Sequence, residues 1–190
     1  MTSNKVVIVA AKRTPIGTFL GSLSKVPTTL IGSKSIAAAI KSISLNPELI
    51  DEVYFGNVLQ AGVGQAPARQ AAIFAGISEH VPCTTINKVC SSGMKSISIA
   101  AQSIALGEND IVVAGGMENM SMSPHYLNFR KGVKFGETRL KDAMEIDGLI
   151  DPFHNKLMGA YAEETAKKYQ ISREEQDIYC KESYLKSQNA

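Results

Sequence analysis

Apolar and polar positions change rhythm repeatedly along the first 120 residues, and each change predicts an element. Val6 to Ala11 is a short continuous apolar run, β-branched at first and ended by Lys12-Arg13-Thr14-Pro15, which is the pattern of a buried strand. Gly17 to Pro27 is rich in Gly, Ser and Pro and reads as a loop. Thr28 or Thr29 is placed to cap a helix with Leu30, Ile36, Ile40 and Ile43 on roughly one face, stopped before Asn46-Pro47. Glu52 to Leu59 predicts a second strand. A helix follows from Pro67 to about Ala75, with proline in its first turn and Gly76 past its end. Val81 to Val89 predicts a third strand, running directly into Cys90-Ser91-Ser92-Gly93. Met94, Ile97, Ala101 and Ile104 then recur every three or four residues, the stripe of a helix that Gly107 stops. Ile111 to Ala114 predicts a fourth strand, ending at Gly115-Gly116. Strands alternating with helices in this way predict an α/β fold with a mainly parallel sheet covered on both faces.

After Met120 the rhythm is lost. Ser121 to Asp151 is polar, contains Gly132, Gly136 and Gly148, and shows no sustained period. Met158 to Ser187 is helical in composition, and Ser172-Arg173-Glu174-Glu175 has the spacing of a capping box. The expected organisation is an α/β core followed by an excursion of loops and helices, with no sign that the sheet is completed.

Composition narrows the function classes. Apolar residues are 44% of the 190-residue chain and charged residues 20%, the balance of an ordinary globular protein. A formal net charge of +2 gives no electrostatic case for nucleic acid or an anionic membrane. Aromatics at 6%, with no Trp, argue against a base-stacking surface. No apolar run approaches the roughly 20 residues needed to span a bilayer. Three cysteines without a CxxC pair argue against a disulfide framework and a structural zinc site. The amino terminus leads into the first strand with neither a signal-peptide apolar region nor an Arg-rich presequence, so a reducing compartment, the cytosol by default, is expected. A mitochondrial copy with its presequence removed would read the same way.

Of the residues that could carry chemistry, Cys90 has the most suggestive surroundings. It lies between a predicted strand and a predicted helix and is followed by three residues small enough for a tight turn. A thiol at a helix N-terminus meets the positive end of the dipole and unpaired backbone N–H groups, both of which favour the reactive thiolate. The N–H beside it could also stabilise an oxyanion. A buried packing cysteine is the competing reading. Cys83 and Cys180 are expected to pack in a strand and a helix. His80, His125 and His154 are read as surface or structural residues, and Glu118 as a structural partner at a strand end. Gly62-Val63-Gly64 lacks the third glycine of a dinucleotide fingerprint, with Pro67 in its place.

The segment Ile86-Asn87-Lys88-Val89-Cys90-Ser91-Ser92-Gly93-Met94-Lys95 resembles the nucleophile segment of thiolases. Other segments match in the same order: Ala11 to Gly17; Gly56 to Leu59 and Gly64 to Gln70; Val113 to Ser121; Ala162-Glu163 with Arg173 to Asp177. The similarity covers nearly the whole chain and is greatest to the short-chain biosynthetic members, the acetyl-CoA acetyltransferases.

The resemblance implies a thiolase-like layered αβα fold whose mixed, mainly parallel sheet is incomplete here. Residues 1–120 would be the N-terminal α/β core and 121–190 the start of a helical loop domain, with the C-terminal domain absent. It implies an acyltransferase that condenses two acetyl-CoA to acetoacetyl-CoA and CoA, reversibly, through an acyl thioester on Cys90. The substrates are coenzyme A thioesters, with no covalently bound cofactor and no metal in the catalytic set. Tyr184 matches a tyrosine near bound CoA and, in some members, a potassium ion; a half-buried helix aromatic is the alternative. The family's activating His and second Cys lie in its second half, and this chain has neither a Gly-His-Pro nor a second Cys-x-Gly segment. The chain by itself is therefore expected to be inactive. Leu157 stands where many members carry His before Met-Gly, which bears on acyl-chain specificity. Homo-oligomers, dimers or tetramers, are implied, with Arg130 to Thr138 resembling a tetramerisation loop. Two other readings stay open: a broader 3-ketoacyl-CoA thiolase of fatty-acid oxidation, and a non-catalytic truncated thiolase that acts only with full-length subunits.

Overall fold

The computed structural model describes residues 5–189. The chain divides into two compact units, the first running to Gly148 and the second beginning at Leu149.

In the first unit, β1 (Glu52–Gly56) lies between β2 (Cys83–Ile86) and β3 (Val112–Gly116), parallel to both. Gly56 is paired with Ile86 on one side and Gly116 on the other, so the three strands end level. Alternation along β1 sends Val53 and Phe55 to one face. There they join Ile36 and Ile40 of α1 (Thr28–Ser42) and Ala68, Ala71 and Ala72 of α2 (Pro67–Phe74), with Ile77, Val81 and Met117, in one core cluster. Burying side chains the size of Val53 and Phe55 stabilises by about 1.5–3 kcal/mol each. The other face of β1 ends at Gly56, where α3 (Ser92–Leu106) comes down on the strand.

Local chemistry explains most boundaries. Pro67 opens α2, where its missing N–H costs nothing, and Gly107 closes α3 in the left-handed conformation at φ 76°. Asp51 tethers the entry of β3: one carboxylate oxygen accepts the N–H groups of Asp110 and Ile111, both at 2.8 Å. These two backbone donors hold the Asp51 carboxyl below the usual range.

Four expectations are corrected. Val6 to Ala11 forms no strand: Val7, Ile8 and Val9 are 60–78% exposed and join no ladder. A strand of this composition needs a neighbour, and among the described residues β3 pairs only with β1, leaving its outer edge unpaired. Neither Thr28 nor Thr29 caps α1; both are buried inside it, Pro27 holds the cap position, and no side chain bonds there. The apolar stripe of α3 faces outward, with Met94 74% and Ile97 47% exposed, while Ser92, Ser96, Ala100 and Ser103 are buried. Cys180 is exposed on a helix, in contrast to Cys83, which is half-buried against the core.

Beyond β3 the first unit adds a two-residue antiparallel pair, β4 (His125–Tyr126) with β5 (Lys141–Asp142). The second unit opens with a similar pair, β6 (Ile150–Asp151) with β7 (Lys156–Leu157), followed by α4 (Met158–Lys168) and α5 (Arg173–Asn189). The expected capping box forms before α5: the Ser172 N–H and hydroxyl donate to Glu175 Oε2 at 2.8 and 2.9 Å, and the Glu175 N–H donates back to Ser172 Oγ. No residue of α4 or α5 is buried. Among the described residues, no helix is long and apolar enough to cross a membrane.

Candidate functional site

Cys90 lies in the turn that leaves β2 at the C-terminal end of the parallel sheet, the edge where ligands bind in open α/β sheets. Its side chain is exposed, so the packing alternative does not describe it. The turn is unusually bent. Val89, immediately before it, adopts a left-handed φ of 49°, a conformation that β-branched residues rarely take. Asn87 Oδ1 accepts the Val89 N–H at 3.0 Å, and Lys88 and Cys90 form an isolated parallel bridge. Ser91 then occupies the cap position of α3 with no side-chain cap bond, and Ser92 begins the helix.

Glycines allow that helix start to sit directly on the sheet. A Cβ at Gly56 would lie 2.7 Å from the carbonyl carbon of Ser92 and 2.8 Å from the Gly93 nitrogen. A Cβ at Gly116 would lie 3.3 Å from the Gly93 Cα. Gly56 and Gly116 therefore let the backbone of α3 approach the strand ends where a side chain would crowd it. Ser96, fully buried one turn along, donates within 2.7 Å to the Gly115 carbonyl and fastens α3 to β3.

Glu118 holds the adjoining strand ends. Its carboxylate accepts the Val58 N–H at 2.9 Å, the Leu59 N–H at 3.2 Å and the Asn57 amide at 2.9 Å. Burial pushes its carboxyl above the ordinary value, opposed by these hydrogen bonds. This is the structural partnership expected of Glu118. Cys83 donates to the Val81 carbonyl, and burial raises its thiol, consistent with a packing role.

Of the histidines, His80 is exposed, and His125 lies 3.9 Å from Asp142 across β4 and β5. His154 belongs to a cluster that sequence reasoning missed. Asp151 Oδ2 accepts the His154 N–H at 2.8 Å and the Tyr161 hydroxyl at 2.8 Å, and lies 2.7 Å from His154 Nδ1. The Tyr161 hydroxyl, with help from His154, draws the Asp151 carboxyl down to about 2, and the same bond pushes the Tyr161 phenol up to about 12. The cluster ties the β6–β7 hairpin to α4.

Tyr184 is 68% exposed on α5. The shallow depression beside it is lined by Tyr179, Cys180, Ser183, Tyr184 and Ser187, all on one helix. A single helix face does not enclose a potassium ion. Among the described residues, no group of three or more His, Cys, Asp or Glu side chains is arranged to hold a metal.

Ser92 and Ser96 are the residues here that periodicity missed. Their signal was a line of small side chains, Ser92, Ser96, Ala100 and Ser103, at helical spacing before a Gly-Gly strand end.

This architecture has counterparts among known proteins. The chain is 58% identical over 180 residues to acetyl-CoA acetyltransferase 2 of Arabidopsis thaliana, a match covering 94% of this chain and 45% of that protein. Over 189 residues it is 52% identical to the mitochondrial acetyl-CoA acetyltransferase of Bos taurus and 51% identical to that of Homo sapiens. Those two matches each cover 100% of this chain and 44% of the relative, so the chain spans under half the length of these proteins. The family described as thiolase, N-terminal domain, matches residues 6–190, and with relatives this similar along its full extent the chain belongs to the thiolases.

Proposed function

We propose that this chain supplies the acyl-accepting half of an acetyl-CoA C-acetyltransferase, with Cys90 as the nucleophile. The observation that carries the reading is an exposed thiol in a strained strand-to-helix turn at the C-terminal edge of a parallel sheet. The names of the relatives supply the reaction class.

In this reading the Cys90 thiolate attacks the carbonyl of acetyl-CoA. A carbon–sulfur bond forms to Cys90, the bond to CoA breaks, and CoA leaves as a thiolate that takes up a proton. A second acetyl-CoA, deprotonated at its methyl carbon, then attacks the acetyl-cysteine, giving acetoacetyl-CoA and regenerating the thiolate. Thiolysis is the same sequence reversed. Splitting the carbon–carbon step through a covalent intermediate lowers the barrier to each part. The backbone N–H of Cys90 is the oxyanion donor in this reading.

The proposal extends to the rest of the chain. Residues 1–120 form the N-terminal core and 121–190 begin the loop domain, where Tyr184 contacts coenzyme A. The group that deprotonates the second acetyl-CoA lies outside these 190 residues, since no histidine here belongs to a Gly-His-Pro segment. Homo-oligomers form in part through the exposed Arg130 to Thr138 segment. The names of the mammalian relatives make the mitochondrial matrix an alternative to the cytosol. The same names favour acetyl-CoA over the longer chains of a broad 3-ketoacyl-CoA thiolase.

The test is incubation of the purified chain with acetyl-CoA, followed by peptide mapping. Acetylation at Cys90 with stoichiometric CoA release and no sustained acetoacetyl-CoA thiolysis supports the half-site. Acetylation confined to another residue overturns Cys90. No acyl loading at all favours the non-catalytic alternative, and sustained turnover overturns the claim that essential groups lie elsewhere.

A further inference from the structure

The Cys90 turn holds a conformation that its own residues disfavour. Val89 has the sole β-branched side chain among the non-glycine residues with positive φ in the described chain, and it is 49% exposed, so packing does not hold it. Asn87 Oδ1 holds the Val89 N–H, and Ser92, only 5% exposed, holds its carbonyl. The Ser92 hydroxyl donates to the Val89 carbonyl at 2.6 Å and accepts the Lys88 N–H at 2.9 Å. One oxygen thus brackets the Lys88-Val89 dipeptide, holding the N–H at its start and the carbonyl at its end. The Ser92 N–H adds a bond to the same Val89 carbonyl at 3.0 Å. The geometry is that of a clamp reaching back from the first residue of α3 over the three residues that precede it. A hydroxyl buried at that point cannot find water in place of these partners, so it strongly favours the turn.

We propose that Ser92 is a positioning residue whose buried hydroxyl clamps the left-handed turn at Val89 and so sets the presentation of the Cys90 thiol. The proposal deepens the reading of Cys90 as acyl acceptor and rests on it for its functional meaning. Ser92 is not itself a catalytic residue, because it acts through the backbone of Lys88 and Val89.

The experiment compares alkylation of the 190-residue chain by iodoacetamide at each cysteine, quantified by peptide mapping. Exposed Cys180 is the internal rate reference, and half-buried Cys83 reports loss of fold. Ser92→Ala is expected to change the Cys90-to-Cys180 rate ratio by roughly tenfold, with Cys83 still protected. Glycine adopts positive φ freely, so in a Val89→Gly background the same Ser92→Ala change should move the ratio by less than about twofold. That rescue separates a clamp on the turn from a general structural role.

A Ser92→Ala chain that stays folded with the parental ratio overturns the proposal. If Ser92→Ala alone exposes Cys83, the comparison is made between Val89→Gly and the double variant. There, a small change supports the clamp, and a tenfold change or loss of fold overturns it. Acetyl loading from acetyl-CoA is measured in parallel. A parent chain that never loads Cys90 defeats the functional reading, while the alkylation ratios still decide the clamp.

Discussion

The Glu118 carboxylate accepts the side-chain amide of Asn57 at 2.9 Å, across the ends of two neighbouring parallel strands. Asn57 is 1% exposed, and the same carboxylate takes two further backbone donors, Val58 and Leu59. Removing the acceptor strands three donors at once. Glu118→Ala is therefore expected to destabilise the first unit by about 1–3 kcal/mol, read from the urea midpoint.

Glu118 also predicts a pH dependence with a definite sign. Burial raises its carboxyl above the ordinary 4.5, so the folded chain binds this proton more tightly than the unfolded chain does. The associated stability is fully present below the unfolded pKa and is lost as pH rises through the folded one. Glu118→Gln cannot titrate. The stability difference between parent and Glu118→Gln should then shift against the parent as pH rises from 4.5 through the folded pKa. A difference that is flat across that window contradicts the assignment.

Gly56 should be intolerant of the smallest substitution. A Cβ there meets the backbone of Ser92 and Gly93 at 2.7 and 2.8 Å, and backbone cannot rotate aside as a side chain can. Gly56→Ala is expected to cost about 3 kcal/mol, the upper end of ordinary overpacking, and to disturb acyl loading at Cys90 by lifting α3. Gly159 on α4 is the contrast, since a Cβ there meets nothing within 4 Å. Gly159→Ala should be neutral or stabilising by up to about 1 kcal/mol. Far-ultraviolet circular dichroism during urea unfolding measures both.

The Asp151–Tyr161 pair has a spectroscopic signature. Tyr161 and Tyr54 are both pushed up to about 12, Tyr161 by its hydrogen bond to Asp151 and Tyr54 mainly by burial. Asp151→Asn should bring one tyrosine back toward the ordinary value, and Tyr161→Phe should delete that same transition from the phenolate absorbance titration. Tyr54 is the internal control and should not move. Asp151, drawn down to about 2, has the opposite sign to Glu118: its stabilising effect is present above the ordinary 3.8 and is lost as pH falls through about 2.

Elements whose signals are local were legible in the sequence. Pro67 and Gly107 mark helix ends through backbone conformation alone, and Ser172 with Glu175 closes a capping box within four residues. The sheet and its parallel order followed from the alternation of strands and helices. Features that depend on distant chain were not legible. Val6 to Ala11 has the composition of a strand, yet a strand exists only beside a partner, and among the described residues it has none. Asp51 gripping Asp110 and Ile111 joins residues about sixty apart, and nothing in local spacing announces it. At the site, the unusual segment around Cys90 could be read directly. The strain at Val89 and the Ser92 bonds could not, because hydroxyl residues in a turn look alike until the backbone is placed.

The face that α3 buries gives the sharpest stability contrast. Hydrophobic periodicity puts Ile97 inward, but Ile97 is 47% exposed while its neighbour Ser96 is fully buried. The reason lies in the surface beneath. Gly56 and Gly116 let α3 sit close enough to leave room only for small side chains, and the Gly115 carbonyl offers a bond that Ser96 completes at 2.7 Å. Ser96→Ala therefore removes the side-chain bond that fastens α3 to β3 and is expected to cost about 0.5–1.5 kcal/mol. Ser96→Val adds volume where backbone is already in contact and should cost at least as much. Ile97→Ser, which replaces an apolar residue on the same helix with a polar one, should stay within about 0.5 kcal/mol when the chain is studied alone. Urea midpoints for the three variants decide the matter. If Ile97→Ser proves costlier than Ser96→Ala, the assignment of the buried face of α3 is wrong, and the placement of Ser92 and Cys90 at its start fails with it.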